Sequence, residues 1–418
     1  MISKAKINVD LVIVGAALGL SLFGISMVYS AGQTDVKSFV ENLWRTQLTW
    51  LFAALFIAWL VSRASVRMIE WMTPALYLFS LGLLALTLVF GSGAGTAAST
   101  KSWLTIGGHR LGQPSEIAKV TAVLMLARVL ADMRTTPRSL LELWKPLVVV
   151  GVPWLLVMAQ PDLGSGLVFI GILFGMLFWA GVPWPLLLIT ASPAVSLILA
   201  FSPRYWAAWF FILLALVVWY RLYINEAIFT VVANVLFGVA APLLWESLKP
   251  YQQKRLLVFL DPMADPKQSG YHVLQSKVAI GSGGIFGKGF TLGTQKRLAF
   301  LPEQHTDFIF AVVGEELGFL GVTIALSLFL ILFLRIIRVS ERANDSFGSL
   351  IAFGLLSSWF VHILVNVGMT LSLMPITGIP LPFFSYGGSF MLACWLAVGV
   401  LLRVGHEGRG GRGGPFAV

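Results

Sequence analysis

The triplet His305-Thr306-Asp307 closes the one long polar interruption of an otherwise apolar chain and directly precedes the apolar run Phe308–Val313. Glu303 lies just upstream. Glu315-Glu316 follow about two helical turns later, roughly 12 Å at 1.5 Å per residue. A carboxylate at such a position can cap the helix by accepting its free N–H groups. Carboxylates repeated along one helix entrance exceed what capping requires, so this one is a candidate for proton abstraction or cation binding.

Ionisable groups at membrane depth are costly and face a protein interior or a cavity. Glu116 and Lys119, in Gln113-Pro114-Ser115-Glu116-Ile117-Ala118-Lys119, are neighbours on one helix face. They read equally well as a mutually neutralising pair and as part of a site. Asp162, in the turn Gln160-Pro161-Asp162-Leu163-Gly164, suits a helix cap, with a substrate role the lesser option. The segment Pro380–Ser389 (PLPFFSYGGS) has the Pro and Gly spacing of a broken or re-entrant backbone, tolerated only where protein or a wet cavity satisfies it. All these places are expected on one side of the membrane, where they can converge on one cavity.

Other motifs fail. GSGGIFGKG (Gly281–Gly289) departs from a phosphate-binding P-loop, because Ser282 stands where the first Gly belongs and Gly289 replaces Ser/Thr. Five scattered His and one Cys give no zinc spacing, and no Ser sits in a nucleophile elbow. Single acidic residues remain the best chemical candidates.

The elements that must position them are membrane helices. Only 11% of the 418 residues are charged and 57% are hydrophobic, against about 25% charged in soluble domains. The expected fold class is an all-α polytopic membrane bundle. Runs long enough to span, given about 20 residues per span and fewer for tilted helices, are Leu11–Tyr29, Leu48–Val61, Pro74–Phe90, Pro114–Leu130, Pro146–Met158, Leu163–Ala180, Pro183–Phe201, Trp206–Leu222, Ile228–Trp245, Phe308–Leu334, Leu350–Leu371 and Ser389–Val404. The first run, preceded by Lys4 and Lys6, exceeds a signal peptide's apolar region and reads as a retained helix. Cys394 lies in an apolar run and forms no internal disulfide.

The net charge of +10 reflects orientation signals flanking the spans rather than a nucleic-acid partner. With both termini cytoplasmic, the short inside loops are basic, at Arg63/Arg67, Arg134/Arg138/Lys145, Arg221, Arg335/Arg338/Arg342 and Arg403/Arg409/Arg412. The large loop at 249–306 then lies outside despite Lys249, Lys254, Arg255, Lys267, Lys277, Lys288, Lys296 and Arg297. Lipid headgroups or an anionic substrate can account for those cations, and Lys277 and Lys288, set among Gly and apolar residues, favour a substrate. Residues 405–418 read as a flexible cytoplasmic tail.

The stretches QPSEIAK (Gln113–Lys119), QPDLGSGL (Gln160–Leu167), YHVLQSKVAIGSGGIFGKGF (Tyr271–Phe290), FLPEQHTDFIFAVVGEELGFLG (Phe300–Gly321) and MPITGIPLPFFSYGGS (Met374–Ser389) together are highly specific. By them the sequence resembles the SEDS (shape, elongation, division, sporulation) family of bacterial peptidoglycan glycosyltransferases, with wording nearer its elongation branch than its division branch. The resemblance implies a polymerase of lipid II at the outer face of the cytoplasmic membrane, partnered by a class B penicillin-binding protein within the elongation machinery. It places the family's essential Asp on Asp307 and cavity positions on Glu116, Lys119, Asp162, Lys277 and Arg45. Gln275, Glu303, His305 and Ser385 are further candidate substrate contacts in the matching stretches. The family usually has ten spans, so the runs within 183–248 imply two added helices.

Transfer from a polyprenyl-diphosphate sugar needs a base for the acceptor hydroxyl and cations for the departing diphosphate, whereas glycoside hydrolysis normally needs two flanking carboxylates. One Asp with several Lys and Arg fits transfer better. Asp307 is the expected base, with Lys119, Lys277 and Arg45 on the diphosphates. Alternatively Asp307 or Asp162 holds Mg²⁺ or Mn²⁺; no organic cofactor is expected. Rival readings are a transporter that flips lipid-linked precursors, disfavoured because the charges gather at the mouth rather than the midplane, and a scaffold without chemistry.

Overall fold

A computed structural model of the chain describes residues 10–35, 39–93, 101–106, 109–133, 135–248, 250–261, 269–298, 300–301 and 303–408. Lys4, Lys6, Arg134, Lys249, Lys267, Arg409 and Arg412 lie outside them, as does most of the expected tail. What is described of that tail, up to Gly408, continues the last helix.

The order is α1 (Leu11–Gly32), α2 (Leu43–Ser62), α3 (Val66–Phe90), β1 (Gly91–Ser92), β2 (Trp103–Ile106), β3 (His109–Gly112), α4 (Pro114–Ala131), α5 (Trp144–Ala159), α6 (Leu163–Trp179), α7 (Trp184–Leu199), α8 (Pro203–Tyr220) and α9 (Ile224–Ser247). Then come α10 (Pro250–Leu260), α11 (Ser269–Gly283), α12 (Thr294–Arg297), α13 (Ile309–Glu341), α14 (Ser346–Thr370) and α15 (Gly388–Gly408). Every apolar run expected to be a span is a helix. Among the described residues nine helices are long and apolar enough to cross a membrane, while α6 and α7 are apolar but shorter. α4 carries Glu116, Lys119 and Arg128 in its 18 residues.

Local chemistry sets the ends. Asp10, Ser65, Asp162 and Asp345 each accept a first-turn N–H with the side chain, starting α1, α3, α6 and α14. Pro74, expected to open a helix, lies inside α3. A proline there leaves the carbonyl four residues back without its helical partner, and Arg128 Nη1 donates to that carbonyl of Glu70 at 2.8 Å.

Two stretches expected as loops are structured. β1, β2 and β3 form an antiparallel sheet between α3 and α4. The large polar loop holds α10, α11 and α12.

Burial separates centre from edge: 67% of the apolar windows of α14 and α15 is buried, against 11% for α8 and 17% for α9. α14 packs on α4, α6 and α13, α15 on α2, and α1 on α13. At the edge, α7 and α9 are joined by a buried polar cluster. Ser196 Oγ donates to Asn234 Oδ1 at 2.6 Å and Asn234 Nδ2 to Ser192 Oγ at 2.7 Å, the kind of hydrogen bonding that holds helices together in lipid.

α13 is one helix interrupted at Gly318, whose φ/ψ of 62°/−158° only glycine adopts readily. The residues after α11 fold into the break. Lys288 and Gly289 N–H donate to the carbonyls of Glu315 and Glu316, and Phe319 and Leu320 N–H donate to those of Gly284 and Ile285. Packing is so close that a Cβ on Gly287 would stand 2.1 Å from the Glu316 oxygen. The glycine-rich motif is a backbone-to-backbone clasp.

Candidate active site

Asp307 ends the turn that leads into α13, partly exposed at the helix mouth. The helix is capped by Phe308 without any side-chain hydrogen bond, so Asp307 is not its cap. Burial pushes the Asp307 carboxyl up to about 7, and the neighbouring charge of Glu303 acts in the same direction. The Arg255 guanidinium and a hydrogen bond with Thr306 pull it partly back.

The backbone around Asp307 is pinned by α14 and by the non-helical segment before α15, which α2 in turn holds. Asn366 of α14 donates through Nδ2 to the carbonyls of Asp307 (3.0 Å) and Ile379 (2.7 Å). Ser385 Oγ donates to the Thr306 carbonyl at 2.7 Å and accepts from Leu381 N–H at 2.8 Å. Tyr386 N–H donates to the His305 carbonyl at 3.0 Å. Gln47 of α2 spans the next turn, donating to the Ser385 carbonyl and accepting from Gly387 N–H, both at 3.1 Å. Gly378, at φ 73°, faces the carboxylate: a Cβ there would stand 3.3 Å from Asp307 Oδ2. The broken segment expected at 380–389 is therefore irregular up to Gly387, α15 beginning at Gly388, and Ser385 is one of its staples.

Glu116 and Lys119 form a buried ion pair at 2.9 Å. Lys119 Nζ also lies 2.9 Å from His362 Nε2, and His362 Nδ1 lies 3.0 Å from the Pro380 carbonyl. An ammonium can only donate, so Nε2 accepts and the ring proton sits on Nδ1, donated to Pro380. The pair borders a cavity of about 20 Å³ lined by Ser358, Trp359, His362, Phe390 and Cys394, enough for one water. Lys119 therefore props the Pro380 segment through His362 from within the bundle.

Asp162 caps α6 through Oδ1 (2.9 Å to Ser165 N) and accepts from Gln113 Nε2 through Oδ2 at 3.1 Å. Gly164, two residues on, packs against Thr377 and Ile379. The four sequence-predicted places thus converge on the segment 377–386; there the carboxylates of Glu116 and Asp162 are tied to a cation and a helix end, whereas those of Asp307 and Glu303 are not.

Other expectations are redirected. Glu315 and Glu316 do not join Asp307. Lys288 pairs with Glu315 at 2.8 Å, and the fully buried Lys296 pairs with Glu316 at 2.7 Å. Ser30 of α1 completes this cluster, donating to Glu316 Oε2 at 2.6 Å and accepting from Lys296 Nζ at 2.6 Å. Lys288, favoured for an anionic substrate, is thus the counter-ion of a buried carboxylate. Lys277 and Arg45 are exposed and Gln275 is partly so, with Arg45 lying over the Trp44 ring. Glu303, at φ 50°, accepts from Thr306 N–H and Asp307 N–H through its carbonyl. His305 is buried against Tyr386, and burial lowers its pKa.

Arg255 reads in sequence only as one loop cation among several, and Gln47, His272, His362 and Asn366 went unread. His362 and Asn366 are four apart in an apolar helix, which puts two costly polar groups on one face; that spacing was the available signal. His272 stacks on Phe308 at 6.2 Å with Nδ1 buried and unpartnered. On α11 it shares a face with Ser276, four residues on, while Lys277 points away. Among the described residues no group of three or more His, Cys, Asp or Glu is placed to hold a metal.

Comparison with known proteins agrees with this architecture. The peptidoglycan glycosyltransferase MrdB of Escherichia coli K12 is 35% identical over 400 residues, covering 96% of this chain and 94% of that protein. The peptidoglycan glycosyltransferase RodA of Treponema pallidum is 33% identical over 425 residues, covering 94% and 97%. A chain of a solved peptidoglycan synthase complex that coordinates polymerization and crosslinking superposes with a TM-score of 0.71 at 27% identity, covering 96% and 98%. The cell cycle protein model FtsW/RodA/SpoVE matches residues 10–210 and 205–410. Matched over nearly its whole length by the family model and by these relatives, this polytopic membrane chain belongs to the FtsW/RodA/SpoVE (SEDS) family.

Proposed function

We propose that the chain is a peptidoglycan glycosyltransferase that polymerises lipid II, with Asp307 as general base. One observation carries the reading: among the described carboxylates, Asp307 alone joins partial exposure to a pKa raised to about 7, the match between carboxylate and operating pH that general-base catalysis favours. The Asp307 carboxylate takes the proton from the C4 hydroxyl of the acceptor's GlcNAc. The freed oxygen attacks C1 of the donor's MurNAc, the C1–O bond breaks, and the diphosphate leaves with the electron pair, inverting the anomeric centre. Asn366, Ser385 and Gln47 hold the carboxylate's backbone still, which serves such a step because small misplacements are costly.

The active face is the outer one, with both termini in the cytoplasm, as the basic short loops support. The partner is a class B penicillin-binding protein of the elongation machinery, a reading supported by the likeness to a synthase complex that joins polymerization to crosslinking. In the alternative reading, in which a carboxylate anchors Mg²⁺ or Mn²⁺, Asp307 would hold the ion instead of acting as base, and it fits better than Asp162, whose oxygens are both engaged. Such an ion needs only one or two carboxylates when substrate phosphates complete its shell, and it would neutralise diphosphate charge.

The test is to incubate purified protein and partner with labelled lipid II in detergent, with Asp307→Ala as control. Glycan strands from the wild type alone are expected. Absence of strands, with transbilayer movement of lipid II in liposomes, would replace the polymerase by a transporter.

A further inference from the structure

The clasp that fills the break in α13 turns an apolar tip away from the protein. Ile285 is 66% and Phe286 79% exposed, and exposed Phe290 and Leu292 follow. Phe319 and Leu320 just beyond the break, and Ile324 about one turn further, are exposed too. The tip is thus continuous with the apolar outer surface of α13. Lys288 is the one charged residue between Ser282 and Leu292, and it turns inward to Glu315 at 2.8 Å. The backbone is provided for as well. Interrupting a helix frees carbonyls before the break and N–H groups after it. Here Lys288 and Gly289 N–H serve the Glu315 and Glu316 carbonyls, and the Gly284 and Ile285 carbonyls serve Phe319 and Leu320 N–H, at 2.9 to 3.1 Å. Gly283 and Gly287 press against the Gly314 and Glu316 carbonyls. The irregular backbone therefore lies on protein, the condition for entering hydrocarbon, and only its apolar side chains point outward.

The depth of the tip follows from α1, which packs along α13. One end of α1 is fixed by Asp10, paired with Arg335 of α13 at 2.7 Å. The other is fixed by Ser30, bonded to Glu316 at 2.6 Å. From Asp10 to Ser30 the helix rises about 30 Å at 1.5 Å per residue, the thickness of the hydrocarbon layer. Arg335, with Arg338 and Arg342 beyond it, marks one boundary of that layer. By the same rise Leu320 stands about 22 Å from Arg335, inside the layer, and its N–H is bonded to the Ile285 carbonyl. Any helix tilt shortens these heights and sets the tip deeper. We infer that Ile285 and Phe286 form a re-entrant tip whose side chains lie among the lipid acyl chains of the leaflet nearer the Asp307 turn. Part of a loop expected to be wholly aqueous thus enters the membrane. A recognition patch for a protein is rimmed by polar groups, whereas this tip carries no outward charge. Residues 309–317 run as unbroken helix from the Asp307 turn to the clasp, so the seated tip sets the height of Asp307 over the lipid. The inference uses helix lengths and charge alone and stands apart from the chemistry at Asp307.

The test attaches a fluorescent label to introduced cysteines in the full chain in nanodiscs. It compares quenching by phospholipids brominated on their acyl chains with quenching by aqueous iodide. Wild type is the blank, since Cys394, the one native cysteine, is buried. Ile324→Cys, on the exposed surface of α13, and Glu341→Cys, at its far end, are the references for lipid and for water. Ile285→Cys and Phe286→Cys are expected to lose emission to the brominated chains as Ile324→Cys does, and to be spared by iodide. Loss of emission to iodide at both positions, with protection from proteolysis within Gly281–Leu292 retained, overturns the proposal. The tip is then a wet face, open to a protein partner. Should either substitution open the clasp, seen as new cleavage there, Phe319→Cys decides. Quenching of that label by brominated chains supports the depth assigned to the tip. Quenching by iodide overturns it, because the break itself then stands above the lipid.

Discussion

At the scale of single residues, Asp307 carries the strongest prediction. It must be ionised to act, so polymerisation should rise as pH passes through about 7, with an acid limb well above the ordinary carboxylate range. A profile flat from pH 5 to 8 would remove it as the base. Stability should run the other way. The folded protein holds this proton more tightly than the unfolded chain, whose ordinary carboxylate value is 3.8. Stability therefore declines as pH rises across that interval. Asp307→Asn should accordingly melt higher than the wild type above pH 7, the difference vanishing below about pH 4, as read by thermal unfolding in detergent. Asp307 was legible because a carboxylate at the mouth of an apolar helix stands out. The cations were not. Lys277, Lys288 and Lys296 look alike in sequence, yet one is exposed and two neutralise Glu315 and Glu316. Tertiary partners, invisible locally, decide which lysine is which.

At the scale of elements, the clasp in the break of α13 is the part that sequence reading left unexplained. Apolar runs announce helices because length and composition suffice. A glycine loop docking on another helix depends on positive φ and on carbonyls supplied from residues some thirty positions away. Gly287→Ala should undock it, since φ 79° and a Cβ 2.1 Å from the Glu316 oxygen are both unfavourable. A lower melting temperature and new proteolysis within Gly281–Leu292 are the expected readouts, and wild-type protection would show that the backbone adapts. Lys296→Met should be costly, about 3–5 kcal/mol, because it strands a buried carboxylate. Adding Glu316→Gln should recover part of that loss in thermal unfolding; additive losses would show that the two do not act as a pair. The small sheet between α3 and α4 escaped for a simpler reason: its strands are two to four residues long and carry no periodicity to read.

At the scale of the whole molecule, chemistry gathers where burial is deepest and thins toward α8 and α9. The aromatic-rich 183–248 region forms a satellite of helices around α7, with Asn234 fixing α7 to α9. Asn234→Leu should lower thermal stability by about 0.6–2 kcal/mol, as typical for one interhelical hydrogen bond in lipid, while leaving the polymerisation rate unchanged. A fall in rate without unfolding would instead give that satellite a catalytic duty. The clasp also sets an order of events during synthesis. Its glycines and lysines leave the ribosome before α13, whose carbonyls and glutamates they must meet. The nascent chain therefore carries Lys288 and Lys296 without counter-ions until α13 arrives, and α13 enters with Glu315 and Glu316 unneutralised. Maturation thus includes a late docking step in which the glycine-rich clasp closes on α13.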